Sequence, residues 1–143
     1  MAEIERVGVE RAQELLAAGW IYLDVRSVPE YAAGHPAGAH NVPYLHAAAG
    51  GMQPNADFMR VMQAVYPKDA RLVIGCQSGN RSMRAARELL DAGYLAIVEL
   101  RPGYGGRKNA FGQVEEPGWA ARGPTERTTP GGAYDELRAR AGS

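Results

Sequence analysis

Short runs of apolar residues alternate along the chain with segments whose apolar residues recur every three or four positions. The uninterrupted runs are typical of strands covered on both faces, and the recurrence is typical of amphipathic helices. These patterns predict strands at 4–7, 20–25, 72–75 and 96–100, and helices near 9–16, 29–32, 58–65, 83–90 and 134–140. Strands that alternate with helices predict an α/β fold with a mostly parallel central sheet and helices on both faces.

Residues that favour turns separate the predicted elements. Asn55 is expected to cap the helix near 58–65, and Gly93 to end the helix that precedes it. Loops are expected at residues 50–54 and from 101 to 132, where glycine and proline are frequent and large apolar residues are rare.

Length and composition narrow the class of function. The 143 residues are predicted to form one domain, 1–143, with a core at about 4–106 and an extended C-terminal segment at 107–143. The formal net charge is zero, which gives no electrostatic support for nucleic-acid or anionic-membrane partners. No apolar run approaches the roughly 18 residues of a membrane span. The charged N-terminal stretch from Glu3 to Glu10 is unlike a signal peptide, so a cytoplasmic location is expected.

The most informative residue is Cys76, the only cysteine in the chain. It follows the apolar run at 72–75 and opens a polar loop that leads into the helix near 83–90. The first N–H groups of a helix are unpaired and that end is electropositive, and both features favour a thiolate. We therefore interpret Cys76 as the catalytic nucleophile and not as a buried apolar residue.

The loop after Cys76 predicts a cradle for an anion, because consecutive N–H groups can turn toward the sulfur. The residues predicted to bind substrate are Gln77, Ser78, Gly79, Asn80, Arg81 and Ser82. Gly79 permits a backbone conformation that a side chain opposes. Arg81 is expected either to hold the loop closed or to bind an oxyanion of the substrate.

No metal site is expected. A single cysteine excludes an internal disulfide and a metal site built from several cysteines. The three histidines, His35, His40 and His46, lie in one loop-rich stretch, but no acidic residue has ligand spacing to them. We interpret His35 and His40 as structural residues.

Two charged residues, Asp24 and Arg26, stand at the carboxyl end of the strand at 20–25, where the sites of α/β proteins lie. They are predicted to support the cysteine loop. Arg26 is expected to pair with Glu30 or another local carboxylate, since a carboxylate four residues away is a ready partner. For Asp24, loop support and direct contact with the site are equally open.

Four motifs together resemble a single-domain rhodanese in their order and spacing. They are Leu23-Asp24-Val25-Arg26, Glu30-Tyr31, Gly34-His35-Pro36-Ala37-Gly38-Ala39-His40-Asn41-Val42-Pro43 and Cys76-Gln77-Ser78-Gly79-Asn80-Arg81-Ser82. The resemblance implies the rhodanese-like three-layer sandwich and a thiosulfate sulfurtransferase that works through a persulfide on Cys76 without a cofactor. It implies a small donor such as thiosulfate or a persulfide, and an acceptor such as cyanide or a thiol, including the thiol of a partner protein.

Two positions depart from the family pattern. Pro36 stands where the family usually has isoleucine. The tryptophan that usually follows the last strand closely is delayed to Trp119, which predicts an insertion at about 107–118.

Two other functions use similar residues. Tyrosine phosphatases and arsenate reductases also place a cysteine loop between a strand and a helix, but their loop is one residue longer than the four residues between Cys76 and Arg81. A tighter ring of amides suits a single sulfur better than a tetrahedral oxyanion. A sulfur carrier or interaction module that passes sulfur to a partner protein stays open as an alternative to an enzyme.

Overall fold

The computed structural model describes residues 3–142, in which strands and helices alternate as predicted. The strands are Glu5–Val7 (β1), Ile21–Asp24 (β2), His35–Pro36 (β3), His40–Asn41 (β4), Leu45–Ala48 (β5), Gly51–Pro54 (β6), Arg71–Gly75 (β7), Ala96–Leu100 (β8), Arg107–Lys108 (β9), Val114–Glu116 (β10) and Thr125–Glu126 (β11). The helices are Val9–Ala17 (α1), Val28–Ala33 (α2), Phe58–Val65 (α3), Asn80–Asp91 (α4), Trp119–Arg122 (α5) and Tyr134–Arg140 (α6).

The central sheet formed by residues 3–142 is parallel, with the strand order β1-β8-β7-β2-β4. Strand β7 pairs with β2 on one side and β8 on the other, so that Gly75 lies opposite Asp24 and Ile74 lies opposite Glu99. The carboxyl ends of these three strands therefore meet at one edge of the sheet. This is the edge at which α/β proteins place their sites.

Helices cover both faces of the sheet, which confirms the predicted three-layer α/β architecture. Val61, Leu89 and Leu137, from α3, α4 and α6, pack in the cluster on one face. Ala12 of α1 and Trp119 of α5 pack in the cluster on the other face. Removing a side chain of leucine size completely from water contributes about 1.5–3 kcal/mol, so these contacts hold the layers together.

Two features near the middle of the chain differ from the sequence-based prediction. Residues 50–54, expected to be a loop, include strand β6, which pairs antiparallel with β5. Helix α3 follows Asp57 and does not use Asn55 as its cap. The Asn55 side-chain oxygen instead accepts from the backbone N–H of Asp57 at 3.0 Å, in the turn before the helix, and its NH2 group donates to the carbonyl oxygen of Pro43 at 2.8 Å.

The segment after β8, expected to be mainly ordered loop, contains short regular elements. Strands β9 and β10 form an antiparallel hairpin, and β11 pairs with β3. Helix α6 has the predicted bounds, Tyr134–Arg140, and its Leu137 is part of the core. The division into a core at about 4–106 and an added segment stays a prediction. Among residues 3–142 there is no helix with the length and apolar character needed to cross a membrane.

Candidate active site

Cys76 lies where β7 leaves the sheet and the chain turns into α4. Strand β7 is buried between two layers, and its residues Leu72 to Ile74 have no exposed surface. Helix α4 begins at Asn80, three residues before the predicted start at Met83, so the turn between strand and helix is short. Cys76 itself is only 2% exposed. The nucleophile is therefore held at the carboxyl edge of the sheet, close to the N-terminus of a helix.

Two donors or acceptors contact the Cys76 sulfur. The backbone N–H of Gly79 donates to Sγ at 3.1 Å, and the Ser82 hydroxyl lies 3.2 Å from Sγ. Among the loop amides of residues 3–142, the one within hydrogen-bond distance of the sulfur is that of Gly79. The sulfur therefore contacts one amide and not the expected ring of several. An N–H aimed at sulfur favours a negative charge there.

Gly79 is required by both its backbone and its surroundings. Its φ is +103°, a region that side chains oppose. A Cβ at this position would lie 2.9 Å from the carbonyl oxygen of Arg101 and 3.0 Å from Nη2 of Arg6. The loop therefore packs directly on the ends of β1 and β8.

The segment after β8 braces the other side of the loop. The N–H of Tyr104 donates to the carbonyl oxygen of Cys76 at 2.7 Å, and the N–H of Gly105 donates to that of Gln77 at 2.9 Å. A Cβ on Gly103 would lie 2.6 Å from the same Gln77 oxygen. The glycines here allow two backbone segments to approach closely.

Arg26 pairs with Asp24, a local carboxylate, and not with Glu30. Its Nη2 lies 2.7 Å from Asp24 Oδ2, and both side chains are buried. Arg26 also donates to Gln77 Oε1 at 3.3 Å and to the carbonyl oxygen of Gly34 at 2.8 Å. Burial opposes the charge of Arg26, but the hydrogen bond and charge of Asp24 outweigh it and raise the Arg26 pKa. The Asp24 side chain thus contacts Arg26, which in turn contacts the cysteine loop at Gln77.

Glu30 is unavailable to Arg26 because other groups hold it. It accepts hydrogen bonds from the N–H and hydroxyl of Ser27 at the start of α2. It also accepts two hydrogen bonds from Arg81, at 2.7 and 3.0 Å. Burial raises the Glu30 pKa, but these hydrogen bonds outweigh burial and bring it down to about 2. Arg81 therefore ties α4 to α2, and its expected role at the cysteine loop stays a prediction.

Sequence reasoning missed Glu99, which lies beneath the cysteine loop. Glu99 has no exposed surface, and its Oε1 accepts from Arg6 Nε at 2.7 Å. Its Oε2 shares a short hydrogen bond with the Ser82 hydroxyl. The signal in the sequence was a single charged residue inside the apolar run of β8, where an ionised side chain is costly without a partner.

The histidines have structural partners. His35 is buried, stacks on the ring of Tyr31 with centroids 3.6 Å apart, and contacts Thr129 Oγ1 at 2.8 Å. His40 Nδ1 lies 2.6 Å from the Tyr66 hydroxyl, and burial lowers its pKa. Within residues 3–142 no group of three or more His, Cys, Asp or Glu side chains is arranged to hold a metal ion.

A polar cleft of about 440 Å³ opens beside the cysteine loop. Gln77, Ser78 and Asn80 line one wall, and the exposed side chains of Arg107 and Lys108 from β9 line another. The predicted site residues thus divide into two groups. Gly79 and Ser82 face the sulfur, whereas Gln77, Ser78 and Asn80 face the cleft and Arg81 faces Glu30.

The sequence of this chain matches a known family model and several known proteins. The family model described as the rhodanese-like domain matches residues 9–110. The chain is 42% identical over 108 residues to thiosulfate sulfurtransferase 16, chloroplastic, of Arabidopsis thaliana, a match that covers 73% of this chain and 90% of that protein. It is 34% identical over 104 residues to thiosulfate sulfurtransferase GlpE of Pseudomonas fluorescens (strain SBW25), covering 73% and 84% of the two chains.

A solved structure resembles the whole architecture. The crystal structure of Rv0390 from M. tuberculosis superposes with a TM-score of 0.73 at 23% identity, over 89% of this chain and all of that one. At this level of identity the likeness concerns the fold.

Proposed function

The chain belongs to the rhodanese-like domain family and is a rhodanese-type sulfurtransferase, and from that premise we propose that Cys76 carries the transferred sulfur as a persulfide. The observation that carries this proposal is the Gly79 N–H, which donates to Sγ at 3.1 Å at the junction between β7 and α4. A donor already aimed at the sulfur stabilises the anionic forms that a sulfur-transfer cycle passes through.

The proposed reaction has two steps, as in covalent catalysis generally. The Cys76 sulfur, without its proton, attacks the outer sulfur of thiosulfate. A new S–S bond forms, and sulfite leaves with the electron pair of the bond that breaks. The persulfide anion on Cys76 is then attacked at its outer sulfur by cyanide or a thiolate. Thiocyanate or a new persulfide leaves, and the Cys76 thiolate is restored.

The polar cleft supports an anionic donor. Arg107 and Lys108 bring two cations to its wall. Glu116 lies 3.8 Å from Arg107 and offsets part of that charge, while Lys108 has no ion pair within residues 3–142. An anion such as thiosulfate is therefore attracted to the wall that faces the cysteine loop. This charge comes from β9, which is far from Cys76 in the sequence. We therefore propose that the segment at 107–118 takes part in substrate binding.

The acceptor is proposed to be a small nucleophile or the thiol of a partner protein. Cleft volumes of a few hundred Å³ are typical of sites for small molecules. A carrier that hands its sulfur to a protein thiol uses the same persulfide. An enzyme with a small acceptor and a carrier that needs a partner protein can be distinguished by one rate. In the enzyme, a small acceptor alone removes sulfur from Cys76 as fast as the enzyme turns over.

Intact-mass spectrometry tests the persulfide directly. After incubation with thiosulfate or polysulfide, the native protein should gain the mass of one sulfur, and cyanide should remove it. Cys76→Ser should gain none, and because Cys76 is the only cysteine, no other thiol confuses the result. Turnover of thiosulfate and cyanide by the Ser variant, or by a native protein that never gains sulfur, contradicts the proposal. Hydrolysis of an aryl phosphate that depends on Cys76 would instead indicate phosphatase chemistry.

A further inference from the structure

Glu99 is a buried carboxylate that the sulfur-transfer steps above leave unused. It has no exposed surface. Oε1 accepts from Arg6 Nε at 2.7 Å, and Oε2 shares a short hydrogen bond with Ser82 Oγ. Ser82 Oγ in turn lies 3.2 Å from the sulfur of Cys76. An unbroken chain of hydrogen bonds therefore runs from Arg6 through Glu99 and Ser82 to the nucleophile.

The charges determine which atom donates in each bond. A buried carboxylate that is paired with an arginine is held in its ionised form, because the pairing compensates its loss of hydration. An ionised carboxylate only accepts, so the hydroxyl proton of Ser82 lies toward Glu99. The remaining lone pairs of Ser82 Oγ can only accept, so the sulfur of Cys76 donates. The resting geometry thus fits a thiol at Cys76, although its position at a helix N-terminus favours a thiolate.

We infer that Glu99 controls the protonation of Cys76 through Ser82 and takes up the thiol proton when the sulfur attacks. As the new S–S bond forms, the thiol proton moves to Ser82 Oγ, while the hydroxyl proton of Ser82 moves to Glu99 Oε2. Ser82 keeps one proton throughout and ends as a donor to the sulfur. The charge of the site is unchanged, because the persulfide carries the charge that Glu99 gave up. This inference rests on the proposed persulfide route.

Other charged and titratable groups reach the chain from several elements. Arg6 of β1 contacts the carboxylate, Arg101 interacts with it electrostatically from the end of β8, and Arg81 of α4 interacts with the sulfur. Tyr22 of β2 interacts with both, and burial raises its pKa well above the ordinary value. The arginines stay protonated and Tyr22 stays neutral near pH 7. Of the groups on this chain, Glu99 is therefore the one positioned to accept the proton.

The decisive measurement is the pH profile of iodoacetamide alkylation of resting Cys76, which requires no sulfur transfer. In Glu99→Gln the midpoint should fall by at least about one pH unit, so that alkylation below the midpoint becomes about tenfold faster. The amide removes the negative charge and donates to Ser82, whose hydroxyl then turns to the sulfur. Glu14→Gln is the matched control: it neutralises an exposed carboxylate that lies 2.9 Å from Arg11 on α1, and its midpoint should not move.

A second background separates proton relay from simple charge repulsion. In the Ser82→Ala background, adding Glu99→Gln should shift the alkylation midpoint by only a small fraction of the shift seen in the native background, because the path for the proton is gone. Equal shifts in the two backgrounds, or a Glu99→Gln midpoint at or above the native one, would overturn the inference.

The native enzyme provides a test that does not depend on the folding of a variant. Loading with polysulfide should produce the infrared band of a protonated carboxyl group in proportion to the persulfide found by mass spectrometry. Persulfide without that band would also overturn the inference. A shifted alkylation profile in a protein that never gains sulfur would refute the persulfide route and leave the control of protonation standing.

Discussion

Replacing Gly79 by alanine tests how closely the cysteine loop packs against the ends of β1 and β8. A Cβ at Gly79 would meet the carbonyl oxygen of Arg101 at 2.9 Å and Nη2 of Arg6 at 3.0 Å. The first neighbour is backbone, which no side-chain rotation can move away. The second is a guanidinium that Glu99 holds through a hydrogen bond of 2.7 Å. The substitution therefore has to displace the loop itself.

Gly93→Ala is a matched control for the magnitude. Its φ of +101° is almost that of Gly79 at +103°, but a Cβ at Gly93 meets nothing within 4 Å. Both variants carry the cost of left-handed backbone, about 1–2 kcal/mol. Gly79→Ala adds overpacking, about 1–3 kcal/mol. Urea unfolding should thus show losses of about 1–2 kcal/mol for Gly93→Ala and about 2–5 kcal/mol for Gly79→Ala.

Sulfur transfer should separate the two variants further. The Gly79 N–H lies 3.1 Å from the Cys76 sulfur, and losing one well-placed donor lowers kcat by about 10²–10³ in comparable sites. Partial displacement of the loop should lower kcat at least about tenfold, while Gly93→Ala keeps native kcat. If both variants lose equal stability and Gly79→Ala remains fully active, the loop does not pack against β1 and β8 as closely as described.

Three further substitutions test separate contacts. Burial raises the pKa of Glu30, but hydrogen bonds, first from Arg81, bring it to about 2. Glu30→Gln should therefore lower the free energy of unfolding by about 1–2 kcal/mol above pH 4.5, and by less as the pH falls from 4.5 toward 2. Urea titrations in which the variant is still destabilised by the same amount at pH 2 rule this out. Arg107→Gln with Lys108→Gln should raise KM for thiosulfate about 3- to 10-fold at unchanged kcat, less so in high salt; an unaltered KM would remove the cleft from donor binding. Trp119→Phe should cost about 1–3 kcal/mol in urea unfolding, because the hydrogen bond from the indole N–H to the Pro124 carbonyl oxygen is lost and the smaller ring leaves a cavity. Native stability would show that neither the bond nor the ring size contributes.

Periodic burial made the sheet and the main helices predictable from sequence. Strand β8 is an apolar run because both of its faces are covered, and α3 repeats its apolar residues at helical spacing because one side packs on the sheet. The β5–β6 hairpin had no such signal, since β6 is exposed along its whole length. The pairing of β11 with β3 joins residues far apart in sequence, which local pattern does not encode.

The site was predictable where it depends on local sequence. A lone cysteine between a buried strand and a helix located Cys76 at the sheet edge. Of the two partners expected for Arg26, Glu30 or another local carboxylate, the structure has the second, Asp24. A spacing of four residues favours pairing along a continuous helix, whereas Glu30 serves the start of α2 and Arg81. Glu99 was missed because its role depends on the parallel register of β7 and β8.

The position of α6 affects how the chain folds as it is made. Strand β1 pairs with β8, with Glu5 opposite Val98, and α6 brings Leu137 into the same cluster as Val61 of α3. While the ribosome is still adding residues after β8, the apolar side of α3 lacks this cover. Such a nascent chain presents a hydrophobic surface that invites aggregation or capture by chaperones. This layer can therefore close only after α6 has been translated. A chain that ends before α6 keeps the apolar side of α3 uncovered.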